Sequence, residues 1–425
     1  MKQKKDVSNK RSLFKSGIAI AVSLLFFVNT LNAQNALKTG SWRGSLALND
    51  STQLPINFVV QNALEIYSII FYNAEEEIIA NEILVRNDSL YIKMPVFDSE
   101  FLCKINENSI SGVWVNHARK EKNEIPFNAN FISKTCGNED YRPSKNQCSL
   151  QGNWECDFSP NSKDASKALG VFNQATSSKN ITGTFATETG DYRYLSGAVE
   201  ENNSFALSCF DGAHAFLFTG KIKGDSIVNG HFYSGLSGHE TWIAKRNNQF
   251  QLRNPDSLTY LKTGFTKVDF SFKNLEGKAV SINDVRYKNK VVVIQLMGTW
   301  CPNCMDETKF LAGVYQKNNN KGLEVIALAF ERTDNFDKAV KNVTRLKNRF
   351  NANYDFLITM KTGAAQASEA LPMLNAVMAF PTTIYIDKKG YVRKIYTGFY
   401  GPATGNKYID YVLETNRFIE KLLSE

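Results

Sequence analysis

Apolar and polar positions alternate in short runs through the first half of the chain and lengthen into continuous apolar stretches in the second. From about Leu37 to about Asn247, runs such as Phe58-Val59-Val60, Ile69-Ile70-Phe71-Tyr72, Leu90-Tyr91-Ile92 and Phe216-Leu217-Phe218 are separated by Asn, Asp, Gly and Ser. That grammar predicts strands and tight turns, and hence an all-β region. The region is internally repetitive. Gly40-Ser41-Trp42 is echoed by Gly152-Asn153-Trp154, Asn87-Asp88-Ser89-Leu90 by Asn202-Asn203-Ser204-Phe205, and the Ser109-Ile110-Ser111-Gly112 strand by Ser226-Ile227-Val228-Asn229-Gly230. The spacing drifts only between 112 and 118 residues, so two similar β modules, each a barrel or sandwich, are expected at 34–145 and 146–250.

Near Gln251 to Thr266 the pattern changes. Val291-Val292-Val293-Ile294-Gln295-Leu296-Met297 is almost wholly apolar, as a strand covered on both faces would be. A helix from about Pro302 to Lys317, a strand Leu323 to Phe330 and a helix from about Asn335 to Phe350 follow. Strands Thr382 to Asp387 and Val392 to Thr397 and a last helix from about Asn406 to Leu423 complete an α/β domain over 251–425.

The formal charge of +8 first suggests a nucleic-acid partner, but six basic residues and one acidic residue in the first fifteen supply five of those charges. The rest is nearly neutral and carries no footprint for a polyanion. The basic cluster leads into the apolar run Gly17 to Val28 and then Leu31-Asn32-Ala33, the layout of a signal peptide at 1–33 cut after Ala33. Export, to a periplasmic space, is expected. Because Cys103 is the first cysteine, no lipid anchor is expected either. Export permits disulfides. Of seven cysteines, Cys103, Cys136, Cys148, Cys156 and Cys209 form an odd set whose pairing the sequence leaves open.

Chemistry concentrates in Trp300-Cys301-Pro302-Asn303-Cys304, where the buried strand gives way to a helix. A cysteine at a helix N-terminus faces free N–H groups and the positive end of the helix dipole, which favour thiolate. Cys301 is therefore the expected nucleophile. Cys304, one turn on, is placed to attack a mixed disulfide formed at Cys301. A static disulfide or half of a zinc site are the competing explanations; zinc would need further Cys or His, and His117, His214, His231 and His239 all lie upstream. No metal site is expected, His231, His239 and Glu240 included.

From about Gly264 onward the chain resembles the exported TlpA/ResA-like thiol-disulfide oxidoreductases of the thioredoxin superfamily. The Trp-preceded C-x-x-C, the Asp269 to Lys278 lead-in and Phe380-Pro381-Thr382 carry the likeness. The resemblance implies a thioredoxin-like fold, a cis-proline at Pro381 opposite the cysteines, and substrate contacts from Trp300, Pro302, Phe380 and Thr382. It also implies an acidic residue at Glu307 that handles the proton of Cys304. Lys309 replaces the proline usual two residues after that glutamate, and Gln295 interrupts a strand the family keeps apolar. With no flavin or nicotinamide signature, no cofactor is expected. Electrons would come from a membrane-bound thiol donor and pass to disulfides of exported proteins. Because Pro302-Asn303 lacks the histidine of the strong oxidant DsbA, a reductase is favoured. Two other functions remain: a binding protein whose β modules capture a ligand while the α/β domain docks, and a thiol peroxidase, for which the Thr and Pro environment around Cys301 is missing.

Overall fold

The computed structural model describes residues 37–133, 148–176 and 178–425. The expected leader, its cut after Ala33 and Cys136 lie outside these residues.

Both β modules follow one path. In the first, nine antiparallel strands run from Gly40–Ala47 to Glu124–Ser133, and the first strand pairs with both the second and the last. The edge strands Glu76–Ala80 and Glu82–Arg86 are consecutive in the chain, so the sheet is barrel-like with its seam there. In the second module, Gly152–Phe158 again lies between the following strand and the final one, Gly238–Arg246, and the pairing of Ser166–Asn173 with Asn180–Thr187 closes the ring. The repeated sequence signals fall on equivalent strands. Gly40 and Gly152 adopt φ of 127° and 111°, a conformation that costs glycine little. Each launches a strand whose tryptophan Nε1 donates to a carbonyl four residues upstream, Trp42 to Lys38 at 3.0 Å and Trp154 to Leu150 at 2.9 Å.

Most aromatics of this half are core. Trp42, Phe58, Phe71 and Phe101 fill the first barrel and Trp154, Phe158, Phe185 and Trp242 the second. The modules are also interlocked: Phe210 of the second packs edge-on to Phe101 and Trp114 of the first. Its backbone exchanges hydrogen bonds with the buried side chain of Asn73 at 2.9 and 3.0 Å. Cys103, Cys148, Cys156 and Cys209 are free.

The third sheet has seven strands in the order Ala279–Ser281, Ser271–Asn274, Asp355–Ile358, Leu323–Ala329, Val291–Met297, Thr382–Ile386, Val392–Thr397. Val291–Met297 is buried throughout, parallel to Leu323–Ala329 and antiparallel to Thr382–Ile386. Its odd-numbered residues Val291, Val293 and Met297 face helices α1 (Pro302–Asn318), α2 (Phe336–Arg349) and α4 (Asn406–Ser424). The even-numbered Val292, Ile294 and Leu296 face α3 (Gly363–Ala370) and the lead-in segment. The strand Asp355–Ile358 and α3 add to the elements legible in the sequence. Among the described residues, no helix is long and apolar enough to cross a membrane.

Candidate active site

The central strand ends at Met297, and a tight turn through Gly298-Thr299-Trp300 carries the chain into α1. Glu331 fixes this turn: its carboxylate accepts from the Thr299 backbone N–H at 2.7 Å and the Thr299 hydroxyl at 2.6 Å. Trp300 donates Nε1–H to the Phe330 carbonyl at 2.9 Å, meets Phe380 edge-on at 5.7 Å, and is covered by the Arg332 guanidinium 3.6 Å from its ring centroid.

Cys301 is the N-cap residue of α1, and Pro302 fills the first helical position, where the missing N–H costs nothing. The Cys301 sulfur accepts from the Cys304 backbone N–H at 3.2 Å and lies 3.5 Å from the Phe380 carbonyl oxygen. Cys301 and Cys304 are joined as a disulfide. Their exposure is asymmetric: Cys301 retains 7% of its surface and Cys304 none. The Phe380–Pro381 peptide is cis. Phe380 is half-buried, Pro302 and Pro381 are buried, and Thr382 is buried with its hydroxyl donating to the Ala379 carbonyl at 2.8 Å.

Glu307 is wholly buried on the inner face of α1. Its carboxylate accepts from Gln295 Nε2 at 2.9 Å, the Thr383 hydroxyl at 2.6 Å and the Tyr411 hydroxyl at 3.0 Å. Burial raises its pKa to about 7, against the pull of those donors. Gln295, the polar break in the strand, accepts from the Thr308 hydroxyl at 3.0 Å and also donates to the Cys304 carbonyl at 3.2 Å. It ties the helical turn of Cys304 to the carboxylate. Gln295 sits opposite Thr383 in the register, on the odd-numbered face toward α1, so the one polar position in that strand falls beside Glu307.

The second β module reaches the cysteines. A cleft of about 210 Å³ opens over Cys301 between Trp300 and the segment Thr187 to Arg193, with Tyr192, His214 and Phe216 on the module's side. Asn303, between the cysteines, donates to the Asp191 carbonyl at 3.1 Å, and the Gly401 N–H donates to the Asp191 carboxylate at 2.5 Å. Arg193, 3% exposed, is the hub of the junction. It donates to the Pro302 carbonyl at 3.2 Å and to Asp306 at 2.5 Å, pairs with Glu76 of the first module, and lies 3.7 Å from Asp211. Glu76, which reads as part of a solvated acidic turn Glu75-Glu76-Glu77, is thus turned inward. Burial lifts Asp306 to about 6 even beside the guanidinium. Arg193, Asp191 and Tyr192 carry no sequence motif and were not singled out from the sequence; in the fold Arg193 has a left-handed backbone, φ of 59°.

Away from the cysteines, His231 and His239 stand side by side across two strands, ring nitrogens 3.1 Å apart. No group of three or more His, Cys, Asp or Glu able to hold a metal occurs among the described residues.

A disulfide at the N-terminus of the first long helix of a thioredoxin-like sheet, faced by a cis-proline and backed by a buried carboxylate, defines a thiol-disulfide oxidoreductase. The Redoxin family model matches residues 263–408. Thiol-disulfide oxidoreductase ResA of Geobacillus thermodenitrificans is 30% identical over 140 residues, covering 33% of this chain and 72% of that relative. ResA of Bacillus thuringiensis subsp. konkukian is 32% identical over 132 residues, 31% and 68% of the two chains. The chain belongs to the ResA-like thiol-disulfide oxidoreductases. Among solved structures, a thiol:disulfide interchange protein from Bacteroides sp. aligns over 38% of this chain and 91% of its own at 18% identity, with a TM-score of 0.28. The two β modules lie outside the Redoxin match.

Proposed function

We propose that the protein reduces disulfides in exported proteins, with Cys301 as attacking thiol and Cys304 as resolving thiol. The observation that carries this is the asymmetry of the pair: Cys301 opens on the cleft at the N-cap of α1, and Cys304 is sealed beneath it. The Cys301 thiolate attacks one sulfur of a substrate disulfide, which breaks and leaves the other sulfur as a thiolate that takes a proton. Cys304, losing its proton, then attacks the Cys301 sulfur; the mixed disulfide breaks, the second substrate thiol departs, and the Cys301–Cys304 disulfide remains. Two electrons have passed to the substrate.

Glu307, held near neutrality by burial, is suited to take up the Cys304 proton, with Gln295 linking the two. Trp300, Pro302 and Phe380 border the path of the substrate, and the extended backbone at Phe380 to Thr382 is the strand it pairs with. The leader at 1–33 delivers the chain outside the cytoplasm, beyond NADPH, so a membrane-bound thiol donor returns the electrons. The division into modules at 34–145 and 146–250 and a redox domain at 251–425 belongs to the same proposal. The test is trapping: Cys304→Ser should accumulate a mixed disulfide with a disulfide-bonded protein substrate at Cys301. Accumulation on Cys304 in a Cys301→Ser protein instead would reverse the roles.

A further inference from the structure

A second cavity adjoins the cleft. Trp300 and His214 line both, so the two spaces lie on either side of the residue that precedes Cys301. This one holds about 50 Å³, enough for one or two waters or a carboxylate head. Its walls come from the first β module, from Ala213 and His214 of the second, and from the Thr299 to Thr333 region and α2.

Its charges are unevenly matched. Lys338 pairs with Asp98 at 3.2 Å, and the Glu331 carboxylate is engaged by Thr299. Among the described residues the guanidinium of Arg119, at the end of a turn of the first module, makes one hydrogen bond, to the Ser237 hydroxyl at 3.3 Å. Arg332 sits over the Trp300 ring, 3.6 Å from its centroid. Neither guanidinium has a carboxylate within ion-pair distance among the described residues, although both line the same cavity, Arg119 half-buried and Arg332 more exposed. Partial burial holds each below its ordinary pKa, and the nearness of Arg119 lowers Arg332 further, against the opposing pull of Glu331. Two like charges facing one small space are placed to receive an anion, and a planar guanidinium fork matches a carboxylate.

We propose that Arg119 and Arg332 form a carboxylate-binding subsite, so that the preferred substrates carry an Asp or Glu within about two residues of the cysteine that meets Cys301. This rests on the exchange reaction proposed above. Trp300 spans the step between the subsites: a peptide whose sulfur reaches Cys301 lays its neighbouring residues along the indole toward Arg332. The first β module, which supplies Arg119, is then a specificity element of the redox site.

Three disulfide-bonded peptides, identical except for Glu, Gln or Lys beside the cysteine, test this with the full-length reduced protein, by the rate at which reduced peptide is released. Glu should exceed Gln in kcat/KM by about five- to tenfold, the effect of one net hydrogen bond, with Lys slowest and the spread shrinking as salt rises. Arg119→Gln should cut the Glu-to-Gln ratio to near twofold, Arg119→Lys should keep its direction, and Arg119→Glu should put Lys ahead. Equal rates for the three peptides would overturn the subsite and leave the oxidoreductase reading intact. No exchange with any of them would overturn both.

Discussion

Replacing Glu307 by Gln keeps its shape and removes its charge, which isolates the cost of burying a carboxylate beneath the redox cysteines. Burial moves its pKa from 4.5 to about 7 in the folded protein. At about 1.4 kcal/mol per pKa unit, an ionised Glu307 costs the fold about 3 kcal/mol. The sign follows from proton binding. Between pH 4.5 and about 7 the folded state holds this proton more tightly than the unfolded state, so stability falls as pH rises through that window and is level above it. Glu307→Gln should therefore match the wild type near pH 4.5 and exceed it by up to about 3 kcal/mol near pH 8. The assay is urea unfolding of the oxidised proteins from pH 4.5 to 8.5, read as the difference between variant and wild type. That difference cancels the contributions of Asp306 and Glu331. In single-turnover reduction the wild type should gain rate at the resolving step as pH passes about 7, and the variant should be slower and lack that inflection. A difference in stability that does not change with pH would refute the buried-charge argument. An unchanged resolving step would refute the proton role.

Two further substitutions probe the junction between the modules and the redox domain. Arg193→Met leaves the carboxylates of Glu76, Asp211 and Asp306 buried without their cation, so a loss of about 3–5 kcal/mol at pH 8 is expected in urea unfolding. The loss should shrink toward pH 5, where Asp306, at about 6, gains its proton; an equal loss at both values would contradict the ionic reading. Gly398 has φ of 79°, and a Cβ there would lie 2.8 Å from the Thr189 carbonyl carbon. Gly398→Ala should cost about 1–3 kcal/mol from the backbone conformation alone and speed amide exchange across 187–193; unaltered exchange there would mean that the hairpin is not pinned by this contact.

The C-terminal elements were legible where length and periodicity were strong. The almost wholly apolar Val291–Met297 run and the helices beginning at Pro302 and near Asn335 and Asn406 stand within a residue or two of their expected bounds. Asp355–Ile358 has four residues and α3 an alanine-rich eight, too short for either period to emerge. The duplicated Gly-x-Trp openings were visible because each serves a local need, a left-handed glycine and an indole bonded four residues back. Cys301, Cys304 and Glu307 stood out because their spacing is local to one helix. The partners that set the environment of Glu307 come from three other elements, through Gln295, Thr383 and Tyr411, and no spacing rule connects those positions. Arg193 escaped notice for the same reason. Its partners Glu76 and Asp306 lie more than a hundred residues away on either side, and a lone arginine in a turn looks like any solvated charge.

The reduction potential of the Cys301–Cys304 couple in the full-length protein, measured by equilibration against a glutathione or dithiothreitol series, bears on the proposed reaction most directly. A disulfide reductase of this kind should stand near thioredoxin, about −270 mV, whereas a value near that of DsbA, about −120 mV, would make the protein a disulfide donor and contradict the direction of electron flow proposed here.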